Sequence, residues 1–324
     1  MYDIIPLHED HLQDASRLVS KRYSQLYKNI PDLPSKYTVS ETFLPLLQNL
    51  FRASGAGVAA FHQNQLVGFL TGWLMSSFRG KRSVYSPEWG NGARLGDSEK
   101  IYQEMYNFMS EEWVSKRYIA HYISLFPNDT QALTAWFWMG FGMISVDAIR
   151  GLDPIEEEPG VSLIQAAEPQ NLDQVYKLQE NLRSYMVEAP IFLITASKER
   201  DYYKDWLSDP QKAVWLAWMR DKPAAFMRLG PADVDVCTVI QDEGTTSIYA
   251  AFTKEGFRKS GIGSSLLNHA LYEARNSGYK RCAVSFEPMN LLGTRFWLKY
   301  FQPVCYSVVR FVDQRVLDDD NDFM

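Results

Sequence analysis

The residues Arg258-Lys259-Ser260-Gly261-Ile262-Gly263-Ser264 are the stretch of this chain whose types and spacing point most directly to chemistry. Two glycines two positions apart leave the backbone bare, so successive N–H groups can approach a ligand closely. Ile262, Leu266, Leu267, Ala270, Leu271 and Ala274 then recur at helical spacing, which sets the loop at a helix start, where the positive end of the dipole favours an anion. Arg258 and Lys259 add full charges, and residues 247–252 upstream form a strand-like run. Strand, turn and helix together can cradle phosphate.

Spacing separates three kinds of phosphate loop. Gly256 and Gly261 stand as far apart as in a Walker loop, but Ile262-Gly263 occupies the place of Lys-Ser. A dinucleotide fingerprint needs a third glycine three residues after Gly263, and that residue is Leu266. What remains is Arg-x-x-Gly-x-Gly, for which a glycine-rich helix start without a ligand is the other reading.

This pattern resembles the pyrophosphate loop of the GNAT superfamily of N-acetyltransferases, which holds acetyl-coenzyme A. The resemblance implies that Ala251, Phe252 and Thr253 lie on the strand whose backbone pairs with the pantetheine arm and offers an N–H to the thioester oxygen. Such a donor at a developing oxyanion is worth ~3–4 kcal/mol. It also implies that Arg258, Lys259, Ser260, Gly261, Ile262, Gly263 and Ser264 cradle the pyrophosphate, and that Asn290 lies beside the cofactor; an Asx turn explains Asn290 as well. The family often places a tyrosine acid seven residues after that asparagine. Here the position is Trp297, whose indole has no acidic proton for a thiolate. Tyr300, one turn on, suits the acid role, and its spacing suits core stacking as well. Glu287, ending the strand at 283–286, can act as base for the ammonium proton directly or through water; an exposed strand-end glutamate is the other reading. His269, alone on the helix, reads as a surface residue rather than a base.

These residues belong to a chain of 324 residues, enough for two domains. With 46% apolar and 22% charged residues it is an ordinary globular composition, and a net charge of −6 argues against general nucleic-acid binding while tolerating a cationic small substrate. Cys237, Cys282 and Cys305 lack any CxxC spacing and read as reduced, buried thiols. The five histidines form no HExxH pair, so no metal is expected. The first residues lack a secretory signal, and the longest apolar stretch, 132–146, falls short of the ~20 residues a membrane span needs. A cytoplasmic protein is expected.

Periodicity orders the rest. A strand at 3–7 leads to a helix with Leu12, Ala15, Leu18, Val19 and Tyr23 on one face; a second helical region follows, then a hairpin of 57–61 and 66–70. A helix with the face Ile101, Met105, Phe108, Met109 and Trp113 precedes a strand at 120–126 and a short aromatic helix at 135–138. Residues 151–160, with two prolines, two glycines and a glutamate run, read as a linker. The same order then restarts: strand 162–166, helices 172–185 and 198–207, strands 213–219 and 224–229, the central strand and loop, strand 283–286 and helix 292–299. Asn128 and Asn290 lie 162 residues apart, and Arg150 and Arg310 lie 160 apart, as do Asp153 and Asp313. An internal duplication accounts for this; shared turn chemistry is the alternative.

The expected fold class is therefore α+β, with two GNAT-like domains, each a mixed, mostly antiparallel sheet flanked by helices. Residues 1–153 form the degenerate copy and 161–324 the copy with the acetyl-coenzyme A loop. In the first copy, residues 91–97 lack the loop spacing, and Asp97 at a helix start would cap it and repel phosphate. The aromatic pairs Phe137-Trp138 and Phe296-Trp297 are expected in the core, and the acidic tail at 318–322 in solvent. The expected activity is N-acetyl transfer to an amine, a small molecule in the first instance; the rival is a sensor or scaffold that binds acetyl-coenzyme A without turnover. Oligomeric state is not legible.

Overall fold

The computed structural model describes residues 1–155 and 163–317. The first half runs β1 (Asp3–Pro6), α1 (Leu12–Asn29), α2 (Ser40–Ser54), β2 (Gly57–His62), β3 (Gln65–Thr71), β4 (Trp73–Phe78), β5 (Lys81–Ser86), β6 (Asn91–Ala93), α3 (Ser98–Ser115), β7 (Ala120–Leu125), α4 (Thr130–Trp138) and β8 (Gly142–Gly151). The second runs β9 (Leu163–Ala166), α5 (Leu172–Met186), α6 (Arg200–Ser208), β10 (Ala213–Met219), β11 (Lys222–Pro231), β12 (Thr245–Thr253), α7 (Ile262–Asn276), β13 (Arg281–Phe286), α8 (Leu291–Tyr300) and β14 (Gln302–Phe311). No helix among the described residues is long and apolar enough to cross a membrane.

The chain forms two compact units. Among the described residues, one comprises Met1–Val146, Cys237–Val239 and 303–317; the other comprises 147–155, 163–236 and Ile240–Gln302. These units do not follow halves drawn at 153 and 161, because each half contributes its last strand to the other unit. β14 pairs antiparallel with β7 in the first unit, while the end of β8 lies in the second. Residue 161, half of the 151–160 linker and the acidic tail from Asp318 lie outside the described residues.

In the first unit one sheet has the order β1-β2-β3-β6, and β4, β5, β7 and β14 follow one another in a second ladder. The β2–β3 turn is two residues, Gln63 and Asn64, both with positive φ (51° and 60°), the backbone that matches strand twist. The β4–β5 hairpin turns at Arg79-Gly80 (φ 50° and 78°); its sequence carries no clear apolar alternation, since Ser76, Ser77 and Phe78 of β4 are all exposed while Ser83 and Ser86 of β5 are buried. Helix α3 buries Ile101, Met105, Met109 and Trp113, whereas Phe108 stands one position off that stripe and is 39% exposed. A Cβ at Gly68 would lie 2.4 Å from Ile101, so α3 comes this close to β3 only over a glycine. Phe137 and Trp138 are also surface residues, 71% and 73% exposed; the two-turn helix α4 buries one face, and Trp136 occupies it.

The segment Cys237–Val239 is anchored in the first unit by the turn after β5. Trp89 Nε1 donates to Thr238 Oγ1 (2.9 Å), and Val239 N–H donates to Glu88 Oε1 (3.0 Å). Glu88 is buried, its Oε2 has no hydrogen-bond partner among the described residues, and burial raises its carboxyl to about 7 against the pull of those N–H donors. Because the folded value lies above the unfolded one, Glu88 favours folding fully below about pH 4.5, and this contribution is lost as pH rises through about 7. The span corresponds to a few kcal/mol, on the order of 3. Glu88→Gln should therefore flatten the fall in melting temperature between pH 5 and 8; parallel curves for the two proteins would refute this.

In the second unit the sheet order is β8-β13-β12-β11-β10-β9. Every expected apolar residue of α7, from Ile262 to Ala274, is buried. Strands β12 and β13 are parallel neighbours only over Thr245–Ile248 and Arg281–Val284. Past that point β12 continues along β11 to Thr253, with a bulge that leaves Tyr249 without a register partner. The two central strands thus part halfway.

Candidate active site

Where β12 and β13 separate, a cavity of about 470 Å³ opens, bounded by the end of β12, the start of α7 and one side of α8. It brings together Ala251, Phe252, Thr253, Arg258, Lys259, Gly261, Ile262, Gly263, Ser264, Asn290 and Tyr300. Ser260 and Glu287 are not among its lining residues. Ser260 is exposed and its hydroxyl donates to the Phe257 carbonyl (2.6 Å); Glu287 lies in the turn between β13 and α8, where its carbonyl accepts from Asn290 N–H (3.0 Å).

The loop is shaped for an anion. Lys259 and Gly261 both have positive φ (61° and 79°), a conformation that costs a lysine ~1–2 kcal/mol and turns neighbouring N–H groups into one concavity. No side chain caps the N-terminus of α7. Ser264 Oγ instead donates to the Gly261 carbonyl (2.9 Å), so the first-turn N–H groups, which have no intrahelical acceptor, are left for a ligand. Arg258 folds back: its Nε donates to the Thr253 carbonyl (3.0 Å), and its guanidinium lies 4.7 Å from the Tyr185 ring. Burial, then the ammonium groups of Lys177 and Lys222, hold Lys254 below the usual lysine value, which marks a positive field beside the loop.

Asn290 is the N-cap of α8, accepting from Gly293 N–H (3.2 Å) and from the Tyr185 hydroxyl (3.0 Å). It is thus an Asx cap and a cavity residue at once. Tyr185 carries no local mark in the sequence, as it closes an amphipathic helix like any core aromatic. Trp297 is buried against Phe296 and Phe301 yet borders the cavity; Tyr300, at the end of α8, stacks edge-on with Phe296 (5.2 Å). His269 packs edge-on against Trp215, away from the cavity lining. Asp235, which no local pattern singles out, accepts from Ser247 Oγ (3.0 Å) on β12, and burial holds its carboxyl above the usual range.

The first unit closes the equivalent place with its own side chains. Its parallel pair β5–β7 also spans four residues, but β5 ends there and β6 pairs with β3 instead. Asn91 on β6 then bridges the gap, donating to the Ser86 hydroxyl and to the carbonyls of Pro87 and Ser124 and accepting from Tyr102. Arg22 reaches the Ala93 carbonyl and Asp129, the α4 N-cap, which also accepts from Ser98 (2.7 Å) at the start of α3. The cap that corresponds to Asn290 is therefore Asp129, not the neighbouring Asn128. Asp97 sits at the N-cap of α3 but makes no cap bond, since its carboxylate pairs with Arg94.

Residues 178–301 match the family model described as "Acetyltransferase (GNAT) family". This segment belongs to the GNAT acetyltransferases. The match covers every residue that lines the cavity, from Leu182 to Tyr300. No curated protein sequence is a significant match to the chain. Among solved structures, the chain is similar to a GCN5-related N-acetyltransferase from Sphaerobacter thermophilus, with 12% identity, a TM-score of 0.59 and coverage of 96% of this chain and 95% of that one. It is also similar to a GCN5-related glucosamine N-acetyltransferase region in a fungal multi-domain GH3 beta-N-acetylglucosaminidase, with 13% identity and a TM-score of 0.53. That alignment covers 96% of this chain and 38% of the fungal one. At such identities the likeness concerns the fold, and it extends the GNAT architecture over both units.

Proposed function

We propose that the GNAT domain moves the acetyl group of acetyl-coenzyme A to the nitrogen of a small amine. The observation that carries this is the uncapped start of α7, opening on the cavity at the point where β12 and β13 part. The N–H groups of residues 258–264 would hold the pyrophosphate, with Lys254, Lys177 and Lys222 adding attraction. Ala251, Phe252 and Thr253 would run beside the pantetheine arm and offer an N–H to the thioester oxygen, with Asn290 beside it. The neutral amine attacks the thioester carbon; the C–N bond forms, the C–S bond breaks, and the proton lost by the amine must be matched by one gained at sulfur. Glu287 is the proposed base, acting through water because it is outside the cavity lining, and Tyr300 is the proposed acid.

Three buried cysteines that form no disulfide among the described residues suit a reducing compartment, so a cytoplasmic location is part of the proposal. One observation favours the sensor reading: Trp297, not a tyrosine, borders the cavity. Thiol release from acetyl-coenzyme A across a panel of amines tests the choice. Amine-dependent release supports the transferase; tight coenzyme binding with no release from any amine would replace it with the sensor.

A further inference from the structure

The second unit carries a buried cation to which its described residues offer no counter-charge. Arg228 follows Phe226 and Met227 on β11, both of which line the cavity; its side chain leaves the same face as that of Phe226, next to the cavity lining and not part of it. Its register partner on β12 is Ala250, beside the segment assigned to the thioester. Arg228 is 7% exposed, and its guanidinium lies 4.5 Å from the Trp206 ring centre, 5.4 Å from Tyr203 and 5.7 Å from Tyr202. Nε and Nη1 are buried with no acceptor among the described residues, and Trp206 Nε1 shares that condition.

A guanidinium does not shed its charge inside a protein, and burying it unpaired is costly. Ring faces offset part of that charge but present no pair of oxygens to its N–H fork. Arg22 shows how this chain completes a buried arginine of purely structural use, with Asp129 at 2.8 Å and the Ala93 carbonyl. Arg228 has the burial without the pairing, as expected where a ligand supplies the anion.

We infer that Arg228, with Trp206 Nε1 beside it, binds a carboxylate carried by the acceptor, so that the acceptor is an amino acid or a similar amino carboxylate. This rests on the acetyl-transfer reading above. Phe252 lies two residues beyond Ala250, about 7 Å along β12, so the carboxylate and the reacting amine fall within the length of one small molecule.

The test is thiol release with the standard amino acids, β-alanine and γ-aminobutyrate, each beside its carboxamide. A site built around a buried fork should favour its carboxylate by about 100-fold or more in kcat/KM. Arg228→Gln should reduce that preference to within a few-fold, chiefly through KM, and leave acetyl-coenzyme A affinity unchanged. Carboxamides that react as well as acids in the wild type, or a preference that survives in Arg228→Gln, would overturn the inference and leave the transferase reading standing. If no amine reacts, calorimetry of the same amino acids with coenzyme A present separates the two. Carboxylate-dependent binding lost in Arg228→Gln upholds the site without turnover, and no such binding overturns it. Arg228→Met checks for a structural role: removal of an unpaired charge should leave the melting temperature equal or higher, and a marked fall would count against a ligand site.

Discussion

Gly263→Asp is expected to weaken acetyl-coenzyme A binding by at least ~100-fold, because it places a carboxylate in the first turn of α7, where phosphate oxygens would sit. Two like charges about 4 Å apart near a surface repel by up to about 4 kcal/mol, which alone suffices. The new Cβ would stand 3.3 Å from the edge of the Phe296 ring, a tight contact that the ring relieves by shifting a few tenths of an ångström. Gly263→Ala is therefore the control: its loss should be several-fold, which separates charge from bulk. Calorimetry on the wild type should give one coenzyme per chain, since Asn91, Arg22 and Asp129 fill the counterpart in the first unit. Unchanged affinity in Gly263→Asp, or two equivalent sites, would remove the loop at 258–264 as the single phosphate cradle.

The sequence made the turn at 258–264 legible because every element of it is local. Two glycines, a preceding cation and an apolar stripe are enough to mark a strand-to-helix turn, and β10 likewise keeps its expected bounds, 213–219. What escaped depends on contacts distant in sequence. The destination of β14 is decided by the open edge of β7, far from it in sequence, and no propensity reports that. The bulge at Tyr249 belongs to the ladder between β12 and β11, and it appears only when the register of those two strands is known. Arg228 reads as an ordinary strand residue until α6 covers it with three aromatic rings. Asn91 looked like part of a failed phosphate loop, whereas its side chain bridges the cleft that the second unit leaves open.

Proton transfer is where residues 178–301 depart most from the GNAT pattern, and there the expected effects are as large as those on binding. Glu287→Gln keeps size and hydrogen bonding while deleting basicity, so as the base it should lose ~10²–10⁴-fold in kcat with coenzyme affinity intact. Tyr300→Phe deletes one hydroxyl from a residue that already borders the cavity, and should lower kcat most for acceptors whose attack is fast, when thiolate departure limits the rate. The two variants should also differ in pH dependence: loss of the base flattens the acid limb of kcat/KM, and loss of the acid flattens the alkaline limb. Asp235 offers the internal comparison, as its carboxylate accepts from Ser247 Oγ on β12 and burial raises its proton affinity. If Glu287→Gln turns over at the wild-type rate while Asp235→Asn loses the acid limb, the base belongs to the sheet face and not to the β13–α8 turn. Wild-type rates and unchanged profiles in all three variants would leave the protons to water, and acetyl transfer would then rest on positioning and the oxyanion N–H alone.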